Sequence, residues 1–222
     1  NQFSSSRVIL TDLDSSGTAD LVYLGENGVD LYRNQSGNSF SPKLHVPIPF
    51  AVNGSALDIV DLLGNRTQCL VSSSRLPGDS SQPLVYVDIF RNKKPHPLTG
   101  VKNNVGAETR LHYAQSTKFY FQDRQNSRRW LIPLPFPVYC VERRETIDRV
   151  SGNVFCDSYR YSHGFYDGVE REFRGFARVE RTDISDFSKL KGVSQTNSNP
   201  AWKVPPARTV TWFHTDTFIE NP

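Results

Sequence analysis

An acidic loop near the start of the chain has the residue types and spacing of a cation site. Residues 12–20 read Asp-Leu-Asp-Ser-Ser-Gly-Thr-Ala-Asp, and the central Gly17 permits the sharp turn that wrapping a cation requires. The candidate ligands are the side-chain oxygens of Asp12, Asp14, Ser16 and Asp20 and the carbonyl oxygen of Thr18. Because Ca²⁺ accepts about six to eight oxygen ligands in flexible loops, we expect Ca²⁺ rather than Mg²⁺.

The surroundings of this loop exclude an EF-hand. The glutamate that closes an EF-hand loop is missing, since Tyr23 occupies that position and apolar strand residues flank the loop. The strand–loop–strand context resembles the FG-GAP/VCBS calcium loop of β-propeller blades. Ser16 replaces the usual third carboxylate, so we expect a reduced affinity. The alternative is that the carboxylates only cap a tight turn through hydrogen bonds to the backbone.

A weaker copy of the pattern follows 49 residues later. Residues 12–13 and 21–22 align with residues 61–62 and 70–71, and both copies read strand, polar loop, strand. Repeats of this length are typical of propeller blades. In the second copy Asp61 remains, whereas the other key positions are changed to Leu63, Asn65, Arg66 and Cys69. We predict that the second loop keeps its turn and has lost the cation.

The rest of the chain predicts an all-β fold with little helix. Short runs of Val, Ile, Leu, Tyr and Phe are bounded by Gly, Asn, Asp, Ser and Pro, and no sustained helical stripe appears. The predicted strands are residues 6–10, 21–24, 29–32, 84–90 and 109–113. Beyond residue 100 longer hairpins are expected, with strands 138–147 and 154–161 around a turn at 149–153. Residues 185–208 suit a loop, and 209–214 a last strand.

Composition excludes several classes of function. The 26 basic and 23 acidic residues give a net charge of +3, and the basic runs 91–94 and 128–129 are short, so nucleic-acid binding is not expected. No run of about 18 apolar residues occurs, which argues against a membrane-inserting segment. No signal peptide is visible. Methionine is absent even at position 1, so we expect a fragment or a processed chain.

The sequence gives no catalytic constellation. His163, Asp167, Glu170 and Glu172 lie close in sequence, but surface charges on a hairpin explain them better than a metal hydrolase, because catalysis needs converging geometry. Cys140 and Cys156 have no nucleophile signature. Together with Cys69 they are too few for a disulfide framework. We therefore expect a protein that is not an enzyme.

Six blocks of the second half resemble the middle region of insecticidal toxin-complex B subunits, of the TcB/TcdB type and the related plasmid-virulence B proteins. They are residues 102–107, 113–120, 134–138, 148–153, 161–176 and 212–215. Residues 161–176, Tyr-Ser-His-Gly-Phe-Tyr-Asp-Gly-Val-Glu-Arg-Glu-Phe-Arg-Gly-Phe, are the most specific block. With the acidic loop in the right order, the resemblance extends over nearly the whole chain.

This resemblance implies a fold and a function. Residues 1–100 would be partial FG-GAP/VCBS-type propeller blades, 101–184 extended β-hairpins of an Rhs/YD-repeat shell, and 185–222 a loop or linker with a final strand. The segment would help a secreted toxin complex to dock on the A-subunit channel and to enclose the toxic part of the C subunit. Two alternatives remain: a stand-alone calcium-dependent adhesion or ligand-binding module, and an inactive gene relic.

Overall fold

The chain forms two compact units, residues Asn1–His96 and Pro97–Pro222. The computed structural model describes residues 4–49, 56–75, 77–91, 93–183 and 205–216. Within these ranges β-strands dominate, together with one α-helix and the short 3₁₀ helices Ser5–Arg7 and Pro77–Asp79. All-β architecture, as predicted from the strand-and-turn punctuation, is therefore confirmed at the level of fold class.

The first unit opens with a four-stranded antiparallel meander. Its strands are β1 (Val8–Thr11), β2 (Asp20–Leu24), β3 (Gly28–Tyr32) and β4 (Leu44–Pro47), and they pair in sequence order. β2 alternates buried and half-buried residues, the pattern of a strand with one face in the core. The acidic loop connects β1 to β2.

A three-stranded meander follows and repeats the first hairpin. Its strands are β5 (Ala56–Val60), β6 (Cys69–Ser73) and β7 (Leu84–Asp88). Val8 pairs with Tyr23 in the first sheet, and Leu57 pairs with Ser72 in the second. Each partner has moved by the same 49 residues, so the sequence repeat is a repeat of strand register.

Both sheets contribute to one apolar core. Its buried residues come mostly from the first sheet, with Leu70 from the second, and Leu57, Ile59 and Val87 pack against them. The buried members are Leu13, Val22, Leu24, Val29, Leu31 and Leu70. The loops also touch, because the Ser15 hydroxyl donates to the Arg66 carbonyl at 2.8 Å. The two copies of the repeat therefore fold as one body.

The second unit is built on a six-stranded antiparallel sheet. Its strands are β8 (Gly100–Lys102), β9 (Ala107–Gln115), β10 (Tyr139–Asp148), β11 (Val154–Asp167), β12 (Glu172–Asp183) and β13 (Arg208–Trp212). The order across the sheet is β13-β12-β11-β10-β9-β8, so every neighbour in sequence is a neighbour in space. The predicted long hairpin around residues 149–153 is β10–β11 of this sheet.

A helix interrupts the predicted hairpins. Helix α1 (Ser116–Gln125) packs on β9 and β11 and buries Phe119 against Tyr161. The sequence gave no helical signal here, because α1 has a polar composition and lacks a side-chain N-cap bond. A tertiary contact positions its start instead: Ser116 and Val138 exchange two hydrogen bonds, at 2.8 and 2.9 Å. Propensity is a weak guide when packing decides.

The predicted Asp167-Gly168 turn exists with a different geometry. β11 ends at Asp167, whose carboxylate accepts the backbone N–H groups of Val169 and Glu170. The left-handed residue of this turn is Arg171, with φ of 55°, and not the glycine. The side chain of Asp167, rather than the freedom of Gly168, therefore organises the turn.

Much of the predicted terminal segment lies outside the described residues. Of residues 185–222, the structure describes 205–216, which contain the predicted last strand as β13. Elsewhere the strand predictions agree to within a few residues, although 6–10 begins as a 3₁₀ turn before β1. Within the described residues, no helix has the length and apolar character needed to cross a membrane.

Candidate metal site

Three of the predicted ligands converge in the β1–β2 loop. Asp12, Asp14 and Asp20 each place one carboxylate oxygen within 4.8 Å of the other two. Asp14 and Asp20 are buried and Asp12 is half-buried. The pairing of β1 with β2 produces this convergence, because it fixes Asp20, the first residue of β2, directly opposite Thr11.

The carboxylates also organise the loop backbone. Asp12 accepts the N–H groups of Ser16 and Gly17, each at 2.9 Å. Asp20 accepts the N–H of Leu13 at 3.1 Å and that of Asn34 at 2.7 Å. The capping role that the sequence left open is therefore present. It does not exclude a cation, because a carboxylate oxygen that accepts one hydrogen bond keeps a second lone pair.

The remaining predicted ligands, Ser16 and Thr18, lie on the open side of the loop. Their hydroxyl groups share a hydrogen bond of 3.0 Å. A cavity of about 670 Å³ borders Asp14, Ser16 and Thr18, so this side of the loop is accessible. Gly17 has φ of 91°, a left-handed conformation in which a side chain would be strained.

The second loop keeps the turn without the acidic cluster. Asp61 accepts the N–H groups of Asn65 and Arg66 at 2.9 and 2.8 Å, the same two bonds that Asp12 makes 49 residues earlier. Arg66 takes the left-handed position of Gly17, with φ of 58°. The predicted retention of this turn is therefore correct, and its loss of the cation stays a prediction.

Two residues that the sequence interpretation did not assign to the loop contact it. The Lys94 ammonium donates to the backbone carbonyl of Asp14 at 2.9 Å, and His96 Nε2 lies 2.9 Å from the second carboxylate oxygen of Asp14. They are about 80 residues away in sequence, and Lys94 belongs to the basic run that was interpreted as a solvated surface. No local pattern could have found them.

The carboxylates differ in their electrostatics. Burial opposes ionisation of Asp14, but hydrogen bonds from Ser16 and His96 outweigh it, so its pKa is below the ordinary value. Burial raises the pKa of Asp20, the N–H bonds from Asn34 and Leu13 offset only part of this, and the charges of Asp14 and Asp12 add to it. Crowded carboxylates of this kind favour a nearby cation.

The oxygen donors therefore fit a hard cation. Asp12, Asp14 and Asp20 would hold it, with Ser16 and Thr18 available on the open side. A bound cation would neutralise the mutual repulsion of the carboxylates and tie β1 to β2. The contacts of Lys94 and His96 to Asp14 are the feature of the site that a calcium loop does not require.

The other polar group singled out in the sequence does not gather into a site. His163 accepts the N–H of Leu131 at 3.3 Å, while Asp167 holds the β11–β12 turn and Arg174 lies 3.4 Å from Glu172. Each side chain thus has a local structural contact. The three cysteines Cys69, Cys140 and Cys156 are buried and free, and burial raises the pKa of Cys140 to about 12.

A family model identifies the chain. Residues 32–215 match the model described as the insecticide toxin TcdB middle/N-terminal region. The chain belongs to this family. The resemblance noted in the blocks between residues 102 and 215 is thereby confirmed. Among curated proteins no match is found.

Solved structures of toxin complexes resemble this TcdB-family chain. The TcdB2–TccC3 structure matches at 32% identity over 96% of this chain, with a TM-score of 0.77. The TcdB2–TccC3–Cdc42 structure matches equally. The Tc holotoxin pore of Photorhabdus luminescens matches at 31% identity over 96% of this chain, with a TM-score of 0.76. In each case this chain spans 10% of the matched chain.

Proposed function

We propose that this chain is a non-catalytic structural and interaction segment of a toxin-complex B subunit. Family membership and the match to assembled toxin complexes support this proposal. The polar residues that invited an enzymatic interpretation have structural contacts of their own instead of converging. The segment would work inside a secreted complex, with an A-subunit channel and a C subunit as partners.

The repeat of strand register is the observation that carries the division of labour. Two meanders related by 49 residues, each with an aspartate-capped turn between its first strands, have the organisation of FG-GAP-type propeller blades. We assign the first unit to the propeller that docks on the channel. The long hairpins β10–β11 and β11–β12 suit an extended wall, so we assign the second unit to the Rhs/YD-type shell.

The acidic loop would hold Ca²⁺ in this arrangement. Asp12, Asp14 and Asp20 supply the charge, and Ser16 and Thr18 the remaining oxygens. A calcium ion there would stiffen the β1–β2 connection of a blade and has no catalytic part. Isothermal titration of the chain with CaCl₂, compared with the Asp20→Asn variant, tests this assignment: heat that the variant abolishes supports it, and the same heat in both proteins contradicts it.

Two core variants of the full-length B subunit test the division of labour. Val22→Asp places a charge in the fully buried core of the first unit, and Ile147→Asp does the same in the second. Binding to immobilised A subunit and co-elution with the C subunit are measured for both. We expect Val22→Asp to lose A-subunit binding and Ile147→Asp to lose the B–C complex.

The matched controls are Val22→Ala and Ile147→Val, which keep the apolar core. If both aspartate variants assemble with A and C as the parent does, the proposal is wrong. A native protein of about this chain's mass, detected in its source with an antibody and bound to neither subunit, would favour the stand-alone adhesion module instead.

A further inference from the structure

The last residues of the first unit bring a positive charge to the acidic loop. The segment after β7 turns back through Arg91 and His96, which have left-handed φ angles of 52° and 66°. This course places the Lys94 ammonium 2.9 Å from the Asp14 carbonyl, whereas the neighbouring Lys93 is exposed. Left-handed residues without glycine are uncommon, so tertiary contacts hold this path.

The loop requires such a charge when no metal ion is bound. Asp12, Asp14 and Asp20 lie within 4.8 Å of one another, and two of the three are buried, so their repulsion is poorly screened. The electrostatic environment of Lys94 reflects both sides: burial and the like charge of Arg66 lower its pKa, while Asp14 and Asp12 act to raise it. Lys94 is thus within electrostatic reach of two of the carboxylates.

The second copy of the loop supports the same logic by contrast. There Leu63 and Cys69 stand at the positions of Asp14 and Asp20, and Asp61 alone caps the turn. A single carboxylate bonded to two backbone N–H groups creates no cluster that needs a cation. The Lys94 contact is made to the loop that carries the excess negative charge.

We propose that Lys94, assisted by His96, is the built-in counter-cation of the acidic loop and competes with a divalent cation for it. This inference rests on the proposed cation site. Asp14 is the point of conflict, because its carbonyl accepts the Lys94 ammonium and its carboxylate binds His96. The loop then keeps its fold without metal, and calcium binds only at the expense of these contacts.

The test compares Lys94→Met with the matched control Lys93→Met in the full chain. Methionine keeps an unbranched apolar stem and removes the charge. In EDTA, we expect Lys94→Met to melt at a lower temperature than Lys93→Met. In titrations with CaCl₂, Lys94→Met should bind about three- to tenfold more tightly than the parent, the range of one partly exposed charge interaction.

The outcomes separate the two proposals. Calcium binding that is equal in the parent and Lys94→Met overturns the competition and leaves the cation site standing. Absence of calcium binding in every variant overturns the cation site. The counter-cation role is then decided by a double-mutant cycle with Asp12→Asn in EDTA: coupling between the two changes supports it, and additive changes in melting temperature overturn it.

Discussion

Asp12 and Asp61 perform the same local task in loops that differ at most other positions. Each accepts two backbone N–H groups, four and five residues ahead, and so closes the turn between two paired strands. The turn survives the change of Gly17 to Arg66 at its left-handed position. At the scale of the residue, the carboxylate therefore organises this turn more strongly than glycine does.

Removing the Asp61 carboxylate should destabilise the second sheet. Asp61→Ala leaves the N–H groups of Asn65 and Arg66 without their acceptor, and we expect a loss of about 1–3 kcal/mol in the free energy of unfolding. Asp61→Asn keeps one acceptor oxygen and should lose less. Urea unfolding followed by circular dichroism measures both; equal stability of Asp61→Ala and the parent would contradict this role.

At the scale of the element, buried carboxylates bound by two cationic side chains stitch the second sheet together. Four carboxylates have this arrangement: Glu108 with Arg110 and Arg149, Glu145 with His112 and Arg143, Asp157 with Arg144 and Arg181, and Glu180 with Arg178 and Arg208. The pairs mostly join different strands or a strand to a turn. They satisfy charges that the sheet would otherwise bury unpaired.

Glu108 should make stability depend on pH in a defined window. Hydrogen bonds from Arg149 and Arg110 lower its pKa from 4.5 to about 2. A depressed pKa in the folded state gives stability that is present above about 4.5 and disappears as the pH falls towards about 2. The melting-temperature difference between the parent and Glu108→Gln should therefore be constant near neutral pH and shrink across this window.

Glu172→Gln is the control for this measurement. The Glu172 side chain is 62% exposed and 3.4 Å from Arg174, so its removal should change the melting temperature little at any pH. A Glu108→Gln difference that stays constant down to pH 2 would show that the pairing with Arg149 and Arg110 does not contribute.

Helix α1 owes its stability to one buried ring and one buried carboxylate. Phe119 is 3% exposed, and Asp123 accepts hydrogen bonds from Trp130 Nε1 and the Ser162 hydroxyl at 2.9 and 2.8 Å while pairing with Arg160. These contacts connect the helix to β11 and to the segment that follows it. Packing therefore compensates for the weak helical preference of the sequence.

The two phenylalanines of α1 provide a matched pair of variants. Phe119→Ala should lower the free energy of unfolding by about 3–5 kcal/mol, because it empties a buried position. Phe121 is 55% exposed, and Phe121→Ala should change it by less than about 1 kcal/mol. Chemical denaturation measures both, and similar losses for the two would contradict the packing of α1.

At the scale of the whole molecule, β13 stands out among the described strands. It pairs with β12 on one side, it is the last strand of the sheet, and all five of its residues are exposed. Edge strands of this kind offer unpaired backbone groups to another chain. In a segment that spans a tenth of its matched chains, we expect such an edge to cause self-association when the chain is isolated.

Charge on that edge should reduce the self-association. Thr211→Lys adds a positive charge to β13 without removing apolar surface, and sedimentation velocity should show a larger monomer fraction than for the parent chain. Val169→Lys, at a 90% exposed position in the β11–β12 turn, is the control and should have no such effect. A parent chain that is already a monodisperse monomer would refute the expectation.

Patterns within short windows were enough to predict much of the fold. Period-two apolar runs and their bounding turn residues predicted β2, β3, β7 and the β10–β11 hairpin, since the side chains of a strand alternate between its faces. The repeated aspartate predicted both capped turns. The family, too, could be recognised from residues 161–176 and the other blocks, and the family model confirmed it.

The sequence by itself determined the all-β class, the 49-residue repeat and the gathering of Asp12, Asp14 and Asp20, because a strand–loop–strand unit brings its own residues together. Only the tertiary structure decided that α1 forms, that Arg171 rather than Gly168 takes the left-handed turn position, and that Lys94 and His96 reach Asp14. These features depend on residues distant in the chain, whose meeting is set by packing of the whole unit and leaves no trace in local spacing.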